Sequence, residues 1–380
     1  MDKSNIKYQI SDIDDLKIAI VADWLTNMGG AERVILKLHH MYPEAPIYTS
    51  TYNPGEMPLF KDAEVHTAWF QKLPVFLRKH QLLTIPRQWY FDRLKLEGYD
   101  IVISNSGAEA KAVQVPDGKH INLCNTPPLY YWVKPDEYLE KGGSGGLNPI
   151  WRLGLKLLMP YAKKWDLEAA KKPDVMYAIS SAVQERIKRI YERDSKIIHP
   201  PADIERFAND GRQKREGFIV FGRHVQHKRF DLAIQACNEI QAKLTVVGDG
   251  PETPRLKAMA GPTVKFVGRP SDKDMVNHIS KAEAFVFPNE EDFGIVAVEA
   301  QAAGTPVIAY RAGGSLDTVA EGTTGEFFDE QTVECLAEKL KNFNYKLYNR
   351  QAILKNAEKF SNEVFTKQVK QAIVDAINKA

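Results

Sequence analysis

What this chain lacks narrows its class. It has three cysteines in 380 residues, Cys124, Cys237 and Cys335, far apart and in no metal or redox spacing. That excludes a disulfide-stapled fold and fits a reducing compartment, with small buried apolar roles for the thiols. No run of 18 apolar residues occurs, so the sequence offers no membrane span. The first sixteen residues are polar, mixed in charge and without a signal-peptide core, so a cytoplasmic location is expected. Net charge is only +2, which gives no global basic field for nucleic acid. The dinucleotide fingerprint is missing as well. Gly248-Asp249-Gly250-Pro251-Glu252 lacks the third glycine of G-x-G-x-x-G, which argues against a nicotinamide-dependent oxidoreductase. Asp12-Ile13-Asp14 has D-x-D form but lies in the polar leader before the first strand. No metal and no cofactor are therefore expected.

What is present reads as a globular α/β chain. Hydrophobic residues make up 44% and charged residues 26%, and the length exceeds what one ordinary core holds. Short apolar runs at 17–22, 47–51, 101–104, 121–124 and 175–179 alternate with helical patterns. A second series follows at 218–222, 244–248, 264–268, 284–287 and 306–309. Such alternation predicts parallel sheets with helices on both faces, hence two Rossmann-like domains. Pro200-Pro201 breaks regular structure, so the boundary is placed there: 1–200 and 201–360. The tail 361–380 is helical, with Phe365, Val369, Ile373 and Ile377 repeating every four residues. Residues 142–146 (Gly-Gly-Ser-Gly-Gly) read as a flexible loop.

The most informative stretch is Glu291-Asp292-Phe293-Gly294-Ile295-Val296-Ala297-Val298-Glu299, followed by Gly304-Thr305-Pro306-Val307-Ile308. It reads strand, acidic loop, helix, turn, strand. One carboxylate precedes the helix and one lies a turn or two inside it. The N–H groups of such a helix start, at Phe293, Gly294, Ile295 and Val296, hold phosphate. Carboxylates on either side accept hydroxyl hydrogen bonds from sugars. Two solvated acids on any helix would be the bland alternative, but the match from Phe285 to Ala309 is too extended for it. On these residues the chain resembles the retaining glycosyltransferases of family 4, which have two facing Rossmann-like domains (GT-B type) and an interdomain cleft. The resemblance implies that Glu291 contacts the donor sugar and Glu299 the nucleotide ribose. It also implies that the tail helix returns to the first domain.

Other constellations fit the same picture. Gly222-Arg223-His224-Val225-Gln226-His227-Lys228 follows a strand, so Arg223 and Lys228 leave the sheet edge where α/β ligands bind. Two cations there can neutralise a departing diphosphate, the role the resemblance gives them. Val267, Gly268 and Arg269 stand where family members hold the base. Asp23-Trp24-Leu25-Thr26-Asn27-Met28-Gly29-Gly30 follows the first strand, and Gly29 and Gly30 allow close backbone approach. The resemblance sets this loop, Asp23 included, against diphosphate and acceptor. Asn125-Thr126-Pro127-Pro128-Leu129 departs from the His-Thr-Pro and following Arg of related O-antigen mannosyltransferases. Asn125 can hydrogen-bond sugar or acceptor, with Thr126 beside it, but it cannot take a proton near neutral pH.

Two basic stretches interleave aromatics. Residues 69–95 hold six cations against one acid, and 151–172 six against two. A peripheral contact with anionic membrane and ordinary core-facing helices explain them equally well. The reading is a metal-independent glycosyltransferase that takes a nucleotide sugar, GDP-mannose favoured. The acceptor is lipid-linked or a glycan, and the enzyme works on the inner face of the plasma membrane. A nucleotide-sugar epimerase of the same architecture and a catalytically silent nucleotide-sugar binder are the rivals.

Overall fold

A computed structural model describes residues 9–74, 83–133, 149–209 and 214–379. The first unit comprises the described residues up to Ile179, then Val183–His199 and the tail from Thr366 onward. The second comprises Ser180–Ala182 and Pro200–Phe365.

In the first unit seven strands are described: β1 Ile18–Ala22, β2 Ile47–Thr49, β3 Val65–Thr67, β4 Ile101–Ser106, β5 Lys119–Cys124, β6 Val175–Ala178 and β7 Lys196–Ile197. Their order is β3-β2-β1-β4-β5-β6-β7, and every pairing is parallel. β1 and β4 are buried along their whole length, which is why they read as unbroken apolar runs rather than alternating ones.

The second unit has six described strands: β8 Phe218–Phe221, β9 Leu244–Val247, β10 Val264–Gly268, β11 Ala284–Phe287, β12 Val307–Tyr310 and β13 Gly325–Phe328. Their order is β10-β9-β8-β11-β12-β13, again all parallel. Phe218, Val220, Leu244, Val246 and Val286 of this sheet meet Phe230, Ile234 and Leu336 of helices in one core.

The short strands β3, β7 and β13 escaped the sequence reading, since two to four residues carry little pattern. The tail helix spans Asn362–Ile377, with Phe365, Val369 and Ile373 buried. Cys124 and Cys237 are buried, whereas Cys335 is only partly so, which corrects the expectation for that thiol. A short 3-10 helix, Ile10–Asp15, buries Ile13 ahead of β1. The glycine-rich segment 142–146 lies outside the described residues.

Both sheets have a switch point, where the chain stops adding strands on one side and starts on the other. It lies between β1 and β4 in the first unit and between β8 and β11 in the second. Loops leaving such a pair diverge and open a crevice at the strand ends. Asp23 follows β1, Arg223 and Lys228 follow β8 and Glu291 follows β11, so these candidates leave the sheets there.

Candidate functional site

In the second unit the chain leaves β8 through Gly222, whose φ of 140° suits glycine. Arg223 is exposed, and its carbonyl accepts from Val225 N–H at 3.0 Å. His224 turns inward and is fully buried. Its Nδ1 meets Thr253 Oγ1 at 2.8 Å, its N–H donates to Asp249 O at 3.0 Å, and its carbonyl accepts from Glu252 N–H at 3.1 Å. A Cβ at Gly250 would come within 2.4 Å of the His224 carbonyl oxygen, so the Gly248–Glu252 turn requires glycine there. Burial lowers the His224 pKa and keeps the ring neutral. The histidine anchors the turn, a role the sequence reading did not assign.

The acidic loop after β11 is placed by glycine contacts. Gly314 N–H donates to Glu291 O at 2.8 Å. A Cβ at Gly313 would lie 2.3 Å from Glu291 O, and one at Gly314 2.3 Å from Phe293 Cα. The pair Gly313-Gly314 is therefore the floor on which residues 291–293 lie. Phe293 is buried edge-on against Phe360, with ring centroids 5.6 Å apart. Gly294 has φ 83°, and a Cβ there would meet the Phe287 ring at 2.9 Å. Helix Ile295–Ala302 starts at this point with no side-chain cap. Its first N–H groups are left for a ligand, and the positive end of its dipole adds to them.

Lys228 ends the short 3-10 turn Gln226–Lys228, and its Nζ forms an ion pair with Glu291 Oε1. The same oxygen accepts from Asn289 Nδ2 at 2.8 Å. Both charged side chains are about one-fifth exposed, so the pair borders solvent without being dissolved in it. Glu299 is buried in the helix. At the sheet edge, Val267 sits at a register shift in β10, and Gly268 O accepts from Gly248 N–H at 2.7 Å. Gly268 and Arg269 are exposed.

The first unit carries a cavity of about 260 Å³ at its switch point, lined by Asp23, Trp24, Glu32, Asn105, Asn125 and Thr126 among others. Helix Gly30–Met41 starts beside it, after Gly29. A Cβ at Gly29 would lie 2.8 Å from Glu32 Oε2, so the acid folds back under the glycine. Burial pushes the Glu32 carboxyl up to about 7, and the charge of Asp23 adds to this. Hydrogen bonds from the backbone of Glu32 and Gly29 oppose it. Glu32, two residues beyond Gly30, received no role in the sequence reading.

Asp23, which the sequence reading set against sugar or acceptor, lines this cavity and is met by four protein donors. Oδ1 accepts from Ser106 Oγ at 2.8 Å and Ala110 N–H at 2.7 Å; Oδ2 accepts from the Gly107 and Ala108 N–H groups at 3.1 Å each. Its observed work is to fold the loop after β4. Beneath that loop lie two buried ion pairs, Arg87–Glu109 at 2.9 Å and Lys111–Asp166 at 2.6 Å. Asp166 also accepts from Trp132 Nε1 and the Tyr191 hydroxyl. Asn125 N–H donates to Ser106 O at 3.3 Å, and Arg186 donates to Thr126 Oγ1 at 3.2 Å. A Cβ at Gly107 would meet Thr126 O at 2.9 Å, so Gly107 fixes the approach of the two loops.

This architecture has relatives. The sequence profile described as "Glycosyl transferases group 1" matches residues 202–360. A GDP-mannose-dependent alpha-(1-6)-phosphatidylinositol monomannoside mannosyltransferase of Mycolicibacterium smegmatis is 27% identical over 210 residues, covering 47% of this chain and 55% of that protein. A GDP-mannose-dependent monoacylated alpha-(1-6)-phosphatidylinositol monomannoside mannosyltransferase of Corynebacterium glutamicum is 31% identical over 198 residues, covering 44% and 52%. The chain thus spans about half the length of these curated relatives. Among solved structures, Anabaena Alr3699/HepE in complex with UDP and glucose superposes with a TM-score of 0.67 at 18% identity, covering 94% of this chain and 99% of that one. Sucrose-phosphate synthase from Thermosynechococcus elongatus gives 0.68 at 16%, covering 96% and 99%. The profile match thus covers most of the second unit, and the chain shares the GT-B fold of these solved structures.

Proposed function

We propose that the protein is a retaining, metal-independent glycosyltransferase that moves a hexose from a nucleotide sugar, GDP-mannose favoured, to a lipid-linked or glycan acceptor. The observation that carries this reading is the Lys228–Glu291–Asn289 cluster beside an uncapped helix start, at the switch point of a group 1 domain. Diphosphate sits on the N–H groups of residues 293–296, and Arg223 and Lys228 neutralise the charge it gains on leaving. Glu291, released from Lys228 by the incoming phosphate, accepts hydroxyl hydrogen bonds from the sugar, and Glu299 receives the ribose. The departing phosphate accepts the proton of the acceptor hydroxyl, so no protein nucleophile is needed. Mannose is favoured because two relatives at 27% and 31% identity are named as GDP-mannose-dependent.

A peripheral membrane position on the cytoplasmic side completes the proposal. Helix Pro149–Ala169 exposes Leu157, Leu158 and Tyr161 near Lys156 and Lys164, and Trp69 and Trp89 are half exposed. Phe70 and Leu83 of the other basic stretch are core instead, and residues 75–82 lie outside the described residues. Among the described residues no helix is long and apolar enough to cross a membrane. The test is a panel of nucleotide sugars offered with lipid-linked and glycan acceptors, with products identified by mass. Retained α-linked product from GDP-mannose is expected. An isomerised nucleotide sugar made without acceptor would mean an epimerase, and binding without any product a silent binder.

A further inference from the structure

The second unit holds another cavity, of about 280 Å³, at the opposite edge of its sheet. Lys214 and Arg215 precede β8 and Pro306 precedes β12, so the cavity lies where strands begin, whereas Gly222 and Asn289 follow strand ends. Its walls include Lys214, Arg215, Lys346, Arg350, Tyr345 and Tyr348, and no carboxylate lines it among the described residues. The two arginines are partly buried. Arg215 donates to Ala282 O at 2.8 Å, Gly304 O at 2.6 Å and Thr305 Oγ1 at 3.1 Å. Arg350 donates to Asn209 O at 2.8 Å and Oδ1 at 3.1 Å, while its buried Nε has no hydrogen-bond partner. These partners are dipoles, not counter-charges. Burial, and then the charge of Arg350, pull the Arg215 pKa below its ordinary value. The nearby carboxylates act on the two lysines at the mouth and not on the arginines: Glu216, bound to Lys243 at 2.6 Å, also feels Lys214, and Glu283, its pKa raised first by burial, feels Lys346.

Gathering four cations around one hollow without a lining acid is unfavourable unless an anion offsets it. A single carboxylate brings one charge. A phosphoryl group brings up to two and offers tetrahedral oxygens to several donors at once. We propose that this cavity is a binding site for a phosphorylated anion, held by Arg215 and Arg350 within and by Lys214 and Lys346 at the mouth. The inference stands independently of the donor site at the other sheet edge.

The test uses the full chain and inorganic pyrophosphate, measured by calorimetry. Because pyrophosphate can also occupy the proposed donor site, the titration is run in wild type, in Arg223→Ala/Lys228→Ala and in Lys214→Ala/Lys346→Ala. Both lysines of the last variant are exposed, so its fold is expected to persist, with circular dichroism as the check. Saturable binding retained in the first variant and weakened roughly tenfold or more in the second is expected. Binding lost in the first and unchanged in the second overturns the proposal, as does the absence of any site beyond the donor site. Flotation with phosphatidylglycerol vesicles distinguishes the sources. Loss of vesicle binding in Lys214→Ala/Lys346→Ala assigns the phosphate to a lipid headgroup, and unchanged vesicle binding beside lost pyrophosphate binding assigns it to a soluble ligand.

Discussion

Glu32 makes folding stability depend on pH in a way that can be measured. Its carboxyl is 8% exposed, and burial pushes its pKa from 4.5 up to about 7. Between those values the native state holds a proton that the unfolded chain has released. Stability therefore falls as pH rises through that window, because the fold disfavours the charge. A shift of this size corresponds to roughly 3 kcal/mol once both forms are ionised. Glu32→Gln keeps the shape and removes the titration. In urea unfolding of the full chain, the variant should gain on wild type between pH 5 and pH 8. The gain should be on the order of 3 kcal/mol in the transition of the first unit. Trp24 lines the same cavity and gives a local fluorescence readout. A stability difference between the two proteins that stays constant from pH 5 to pH 8 would refute the reasoning. It would mean that Glu32 is ionised in the fold and that backbone donors at Gly29 and Glu32 outweigh burial.

Three further outcomes are expected. Arg223→Ala and Lys228→Ala should each cut transfer by on the order of 10²-fold or more with the fold intact; wild-type turnover in either removes the diphosphate assignment. Exhaustive chelation should leave transfer unchanged, since Arg223 and Lys228 supply the charge at the phosphate; activity that collapses and returns with magnesium or manganese contradicts this. Asn125→Ala should weaken transfer by about 1–3 kcal/mol while Asn125→His is tolerated and gains a limb near pH 6.5 in its rate profile; full activity in the alanine variant reduces Asn125 to a structural role.

Fold and site were legible to different depths. The parallel α/β class was readable because strands buried on both faces show as continuous apolar runs between helical patterns. The acidic loop and the basic loop were readable because each is a local motif at a strand end. The boundaries of short strands were not, since β7 has two residues and β3 three. The glycine floor at Gly313-Gly314 carried a visible signal, a Gly-Gly pair after β12, but its purpose depends on residues 291–293 lying against it.

The unforeseen donor set at Asp23 and the omission of Glu32 have one physical origin. A sequence places a carboxylate at a sheet edge, but it does not tell how many protein donors reach it. Asp23 is met by donors 83 to 87 residues away, which arrive only because β4 pairs beside β1 at the switch point. Four hydrogen bonds make it a fastener of the loop after β4. Glu32, nine residues on in the same loop-helix unit, has no charged partner of opposite sign among the causes of its shift and is left to titrate near neutrality. The two acids line one cavity with Asn125, and Glu32 is the one whose carboxyl burial pushes up to about 7. Asn125 cannot take a proton near neutral pH, whereas burial brings the Glu32 carboxyl in the same cavity lining to about 7. This carboxyl is thus the group against which any neutral-pH limb in the rate profile should first be tested, with Glu32→Gln as the variant that removes it.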